Sequence, residues 1–248
     1  MDLRTEIMRE LRQKLKINTA NPDYKKIEEA IGVLNVAYLK VAANEIYGML
    51  NHCVKIRSKY ALLLSVYNKN IREHQVMFLL FSIFENAMRS KAAITLSTSY
   101  SSRHSDDWWK DISSMNKDMI KPIGEALIKL HKNIPNINTY DIFDTFTLGH
   151  LQSIYTNHWS LFQHFFTRKI YKGHSLPTID RENFKTKFEN IRDARNDISH
   201  HKPINYSRRG RSDLIKDCEV LLSNLDFNLE AAVNGIDPNH QIIRLQYV

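Results

Sequence analysis

The chain has 248 residues, 43% of them apolar, which argues against global disorder and suits one large domain or one domain with an extension. With only 7 glycines and 6 prolines, a turn-rich sandwich or barrel is disfavoured and long helices are expected. A formal charge of +8 points towards polyanionic partners such as RNA or DNA.

The amino terminus, MDLRTEIMRE, is charged and has no apolar stretch, so no signal peptide is expected. Residues 3–17 place Ile7, Leu11 and Leu15 on one helical stripe. Asn21, Pro22 and Asp23 read as a helix start. A long helix is predicted over residues 24–53, with Ile27, Ile31, Leu34, Tyr38, Val41 and Ile46 among its apolar positions, and residues 56–67 continue in the same manner. Residues 75–92 are apolar almost all round. Their exceptions, Ser82, Glu85, Asn86 and Arg89, share one face, as in a helix buried on most sides with a single polar strip. The longest apolar run, residues 76–81, is far short of a membrane span.

Residues 95–107 are serine-rich and read as a flexible loop, closed onto the core by Trp108 and Trp109. Helix is expected over 115–132 and a loop over 133–139. One long helix is predicted over 148–171, with Leu151, Ile154, Tyr155, Trp159, Phe162 and Phe166 buried, and with Gly173 and Pro177 after it. Asp180 caps a core helix through Phe184, Phe188, Ile191, Ala194 and Ile198, which Pro203 ends. Residues 207–211 (SRRGR) form a basic turn, 213–233 are helical, and 242–247 form a short strand or an ordered arm. The two cysteines, Cys53 and Cys218, fit no metal or redox spacing. They suit a reduced cytoplasmic protein, with a single disulfide as the alternative.

Chemistry concentrates at the end of the helix after Asp180. Arg195 falls inside the apolar stripe, near the direction of Phe188 and Ile191. A core-facing arginine needs an anion, because an unpaired buried charge is costly. The polar strip of residues 82–89 offers Glu85, so contact between Glu85 and Arg195 is expected. Asn196 and His200 share a more exposed face. Arg192 and Ser199 lie between the two faces, completing a polar wall. A histidine at a helix C-terminus, where its protonated form is favoured, suits general acid or base work. A neighbouring arginine can stabilise the charge of a phosphorane-like transition state. This chemistry needs no metal. Arg195 and His200 are about 140° apart around a straight helix, so a site using both calls for a distorted helix end or a second protomer. The spacing alone is weak evidence, since an Arg followed by a His after four to six residues is expected by chance and recurs at Arg168 and His174.

The stretch Arg195-Asn196-Asp197-Ile198-Ser199-His200-His201-Lys202-Pro203 resembles the R-N-x-x-x-H-H-x-P signature of Abi-like abortive-infection proteins of the AbiD/AbiF type. These belong to the HEPN superfamily of all-helical ribonucleases. Residues 84–89 are similar to that family's E-x-x-x-R helix, and Thr145-Phe146-Thr147-Leu148-Gly149 looks like its T-F-G helix start. The resemblance covers roughly residues 75–204 in order. It implies an all-α, HEPN-type helical bundle in residues 71–248. Residues 1–70 match nothing in that family and are expected to be a helical extension packed on the core, for grasping RNA or for dimerisation. The resemblance also implies metal-independent RNA cleavage leaving a 2′,3′-cyclic phosphate, a homodimeric site, a toxin or anti-phage role, and an RNA or protein antitoxin as partner. Carried over by position, Arg195 and His200 are catalytic, Asn196 positions the phosphate or braces the site, and Glu85 is a supporting acid. RNA contacts fall to Arg192, His201 and Lys202, and to the basic turn Arg208, Arg209 and Arg211. A related toxin branch has a tyrosine two residues after the histidine. This chain has Lys202 there, so modification at that position is not expected.

A helical module that binds RNA or protein without cutting it is the second reading. A small-molecule enzyme has only the Glu85 strip in its favour, with no Gly-rich phosphate loop and no nucleophile elbow. His150, His158 and His164 do not share a face as a metal pair needs, so neither metal nor cofactor is assigned.

Overall fold

The structure, a computed structural model, describes residues 2–51, 56–100, 106–110, 117–130, 137–204 and 208–247. The chain is all-α, and the sheet among the described residues is one two-stranded hairpin. It forms two compact units, Met1–Phe78 with Asn196–Asn205, and Leu79–Arg195 with Tyr206–Val248. The division falls after residue 78 rather than 70, and residues 196–205 belong with the first unit. Among the described residues no helix is long and apolar enough to cross a membrane.

The first unit begins with α1 (Leu3–Leu15), capped by Asp2, whose side chain accepts the Thr5 amide. Lys16, in the left-handed conformation, ends it by donating to the Gln13 carbonyl while Ile17 donates to that of Arg12. The single helix expected over 24–53 is two, α2 (Tyr24–Ile31) and α3 (Val36–Leu50). The break comes where Asn35 leaves helical geometry and caps α3 by accepting the Ala37 amide at 3.0 Å. Ile7, Leu11, Leu15, Ile27, Tyr38, Leu39, Ile46, Leu63 and Val66 form the core of this unit. α4 (Lys59–Tyr100) starts on a cap borrowed from far away in sequence. The buried Asp23 carboxylate accepts the Lys59 and Tyr60 amides at 2.7 and 3.1 Å and the Ser58 hydroxyl at 3.0 Å. These amides have no partner inside the helix. Burial opposes ionisation of Asp23, but the three hydrogen bonds outweigh it and hold the carboxyl below its ordinary range.

In the second unit α4 continues to Tyr100, so helix replaces the loop expected from residue 95; residues 101–105 lie outside the described ones. Trp108 and Trp109, in a 3-10 turn, are buried anchors as expected. Trp108 donates to Thr139 Oγ1 at 2.8 Å. α5 (Lys117–Leu130), α6 (Thr139–Asp144) and α7 (Leu148–Asn157) follow. The long helix expected over 148–171 stops at Asn157. The chain re-enters as the one-turn α8 (Trp159–Phe162), a 3-10 turn (Gln163–Phe166), and then strand β1 (Lys169–Tyr171), paired antiparallel with β2 (His174–Leu176). Lys172 and Gly173 both have positive φ, 48° and 82°, the geometry of a two-residue hairpin turn. Gly173 therefore turns a hairpin and does not close a helix. The aromatic residues expected to line one straight helix are buried through this bend instead, Tyr155, Phe162 and Phe166 packing with Phe184 and Phe188.

α9 (Arg181–Ser199) is capped as expected, Asp180 accepting the Asn183 amide at 2.8 Å. α10 (Arg208–Asn224) begins inside the expected basic turn, and α11 (Leu229–Asn234) is separate from it, so 213–233 is not one helix. The tail is an ordered arm. Glu219, 1% exposed, accepts the Gln246 and Tyr247 amides at 2.6 Å each. Cys218 is a buried free thiol, and Cys53 lies outside the described residues.

Asp23→Ala removes the start of α4 and is expected to lower unfolding free energy by about 2 kcal/mol at pH 7. Asp23→Asn, which keeps an acceptor, should lose less. Because the folded-state pKa is depressed, this stabilisation is complete above the unfolded carboxyl pKa and disappears as pH falls through the folded one. Urea unfolding of the three proteins at pH 7 and pH 3 measures both effects.

Candidate active site

The core of the second unit holds a charged cluster built on Glu85. Its carboxylate is 11% exposed and meets two guanidinium groups, Arg89 Nη2 at 2.6 Å and Arg195 Nη2 at 2.9 Å. Helical spacing places Arg89 one turn beyond Glu85 on α4, whereas Arg195 arrives from α9. The contact expected between Glu85 and Arg195 is present. Arg89 also donates to the Phe146 carbonyl at 3.0 Å and to Asn86 Oδ1 at 3.1 Å. Phe146 directly precedes Thr147, which caps α7 through a reciprocal box with His150. Residues 84–89, the segment before α7 and Arg195 are therefore joined through Glu85 and Arg89.

Arg195, 36% exposed against 14% for Arg89, is the member open to solvent. Such a group can receive an anion while its aim is set from behind.

The other expected residues divide. Arg192 is held by Gln152 Oε1 at 2.6 Å, Asp193 at 2.9 Å and Glu189 at 3.2 Å. It braces α9 against α7. Asn196 and His200 are exposed. Lys202 pairs with Asp197 at 3.1 Å, an exposed pair of small energetic weight. Arg211 is half-buried in the first turn of α10, and the side chains of Arg208 and Arg209 lie outside the described ones.

In the first unit, the turn after α9 is fastened by His201, expected as an RNA contact, by Tyr38, expected only as an apolar helix position, and by His74, which sequence reasoning did not single out. His201 adopts a left-handed φ of 52°. It donates to the Ile198 carbonyl and Lys202 to that of Asp197, so a histidine fills the place glycine usually takes after a helix. The His201 ring stacks on His74 with centroids 5.9 Å apart. His74 Nδ1 lies 2.5 Å from the Tyr38 hydroxyl, which also reaches the Lys202 carbonyl at 3.2 Å. Burial, then Tyr67, pushes the Tyr38 phenol up to about 12, so it stays protonated. Burial, then the charge of His201, holds His74 below its ordinary value. The available signal was a histidine and a tyrosine on inward faces of apolar helices, a pattern more often structural than functional.

Compared with family profiles, curated proteins and solved structures, the chain matches none.

The lowered His74 pKa carries a sign. The unfolded state binds its proton more readily, so stability is full above the unfolded value of about 6.5 and falls as pH drops towards the folded one. His150, also lowered by burial, acts in the same window. His74→Gln isolates the first contribution. Urea unfolding between pH 7.5 and 5 should show a shallower acid decline for His74→Gln than for the unaltered protein; parallel declines would contradict the assignment.

Proposed function

We propose that this protein is a metal-independent endoribonuclease of the HEPN type that acts as a toxin or anti-phage effector in the cytoplasm. The observation that carries the reading is the ion pair between Glu85 and Arg195, with Arg195 one-third exposed. It holds a guanidinium ready for phosphate at the head of the R-N-x-x-x-H-H sequence. In the proposed reaction the ribose 2′-oxygen attacks the adjacent phosphorus as its proton is taken up, and the bond from phosphorus to the 5′-oxygen breaks as that oxygen is protonated. His200 serves one of these proton transfers. Arg195 stabilises the added negative charge on the phosphoryl oxygens. The products are a 2′,3′-cyclic phosphate and a 5′-hydroxyl. Because positions 195 and 200 would lie about 140° apart around a straight helix, the proposed working enzyme is a homodimer in which two copies of the R-N-x-x-x-H-H segment meet. An RNA or protein antitoxin is the proposed restraint.

The second reading, a helical RNA-binding module without cleavage, is favoured by a specific observation. Glu85 already neutralises part of the Arg195 charge. The one-third exposure of Arg195 supports contact with RNA under either reading.

Purified protein in EDTA should cleave RNA and leave cyclic phosphate ends. His200→Ala and Arg195→Ala should each reduce the rate by about 100-fold or more. Equal rates in all three proteins, or complete loss in EDTA, would overturn the mechanism. Salt-dependent binding without product ends would establish the module.

A further inference from the structure

A groove of about 420 Å³ runs beside α1 and α2, outside every residue assigned above to catalysis. Its lining includes Arg4, Arg9, Arg12 and Tyr24, with Met8 as an apolar wall. Among the described residues, neither Arg9 nor Arg12 makes a side-chain hydrogen bond or ion pair. Arg12 Nε is shielded from solvent without an acceptor, and its guanidinium carbon sits 5.8 Å from the centroid of the Tyr24 ring. Arg4 is steadied by the Glu28 carbonyl at 2.9 Å. Two carboxylates also line the groove. Asp2 commits both its oxygens to Thr5, at 2.9 Å each, leaving Glu28 as the uncommitted acid.

We propose that this groove binds the phosphates of single-stranded RNA, one nucleotide seated against the adjacent Arg12 and Tyr24 side chains. The volume lies in the range of a nucleotide-sized ligand. Arginine forks match phosphate geometry, and a guanidinium over an aromatic ring offers a flat platform for a base. The groove gives residues 2–31 a task that α9 does not perform, holding the strand while cleavage occurs elsewhere. The inference rests on the reading of RNA as substrate.

The test measures binding of a fluorescein-labelled 12-nucleotide single-stranded RNA by anisotropy, in EDTA and in a His200→Ala background that keeps the probe intact. Arg9→Ala with Arg12→Ala should weaken binding at least tenfold and reduce the slope of log K against log salt by about 1.4, with an unchanged melting temperature. Arg12→Lys, which keeps charge but loses the fork and the platform, should fall between. Unchanged affinity and slope would overturn the proposal. So would a mononucleotide binding as tightly as the 12-mer, or anionic lipid vesicles outcompeting it. Cleavage by the Arg9→Ala, Arg12→Ala protein with native His200 is read separately. If binding is unchanged but cleavage persists, the groove assignment fails and the nuclease reading stands. Groove-dependent binding without cleavage by the unaltered protein keeps the groove assignment and overturns the nuclease reading.

Discussion

Glu85 brings a carboxylate into the aromatic core of the second unit, and that charge is tolerated because two arginines and their further partners surround it. Removing either arginine changes more than one bond. Arg89 links α4 to the segment before α7, and Arg195 ties α9 to α4 within that unit. The arrangement is asymmetric in exposure. Arg89 is enclosed and structural, while Arg195 reaches solvent. One carboxylate thus both closes a core and aims a guanidinium outward.

The first unit uses a different device. A buried tyrosine and a buried histidine, Tyr38 and His74, pin the backbone and ring of the turn that follows α9. Hydrogen bonds at positions 201 and 202 end the helix without glycine. His200, exposed at that helix end, is thereby presented on a fixed turn whose neighbours are titratable. The lowered pKa of His74 makes the acid sensitivity of the turn a property of that residue.

Helical periodicity made the pairing of Glu85 with Arg195 legible, because an arginine in an apolar stripe demands an acid and residues 82–89 offered one on a polar strip. Arg89 was not legible in the same way, since an i, i+4 pair on one helix looks like an ordinary surface contact until its second partner, the Phe146 carbonyl, is known. The bend after Asn157 was invisible because the apolar spacing of Tyr155, Phe162 and Phe166 fits a helix as well as a folded-back turn. Lys172 and Gly173 carried the hairpin signal, but a glycine also ends helices. The break before Asn35 could have been read from that residue's capping preference. Asp23 could not, because the amides it caps lie 36 and 37 residues further along the chain.

A double-mutant cycle on Glu85 and Arg195 tests most directly whether the buried carboxylate holds the exposed arginine. Glu85→Gln, Arg195→Gln and the double variant are compared with the unaltered protein by urea unfolding at pH 7. A coupling of about 1 kcal/mol is expected, with the double variant less destabilised than the sum of its parts. Additivity within about 0.3 kcal/mol would contradict that hold.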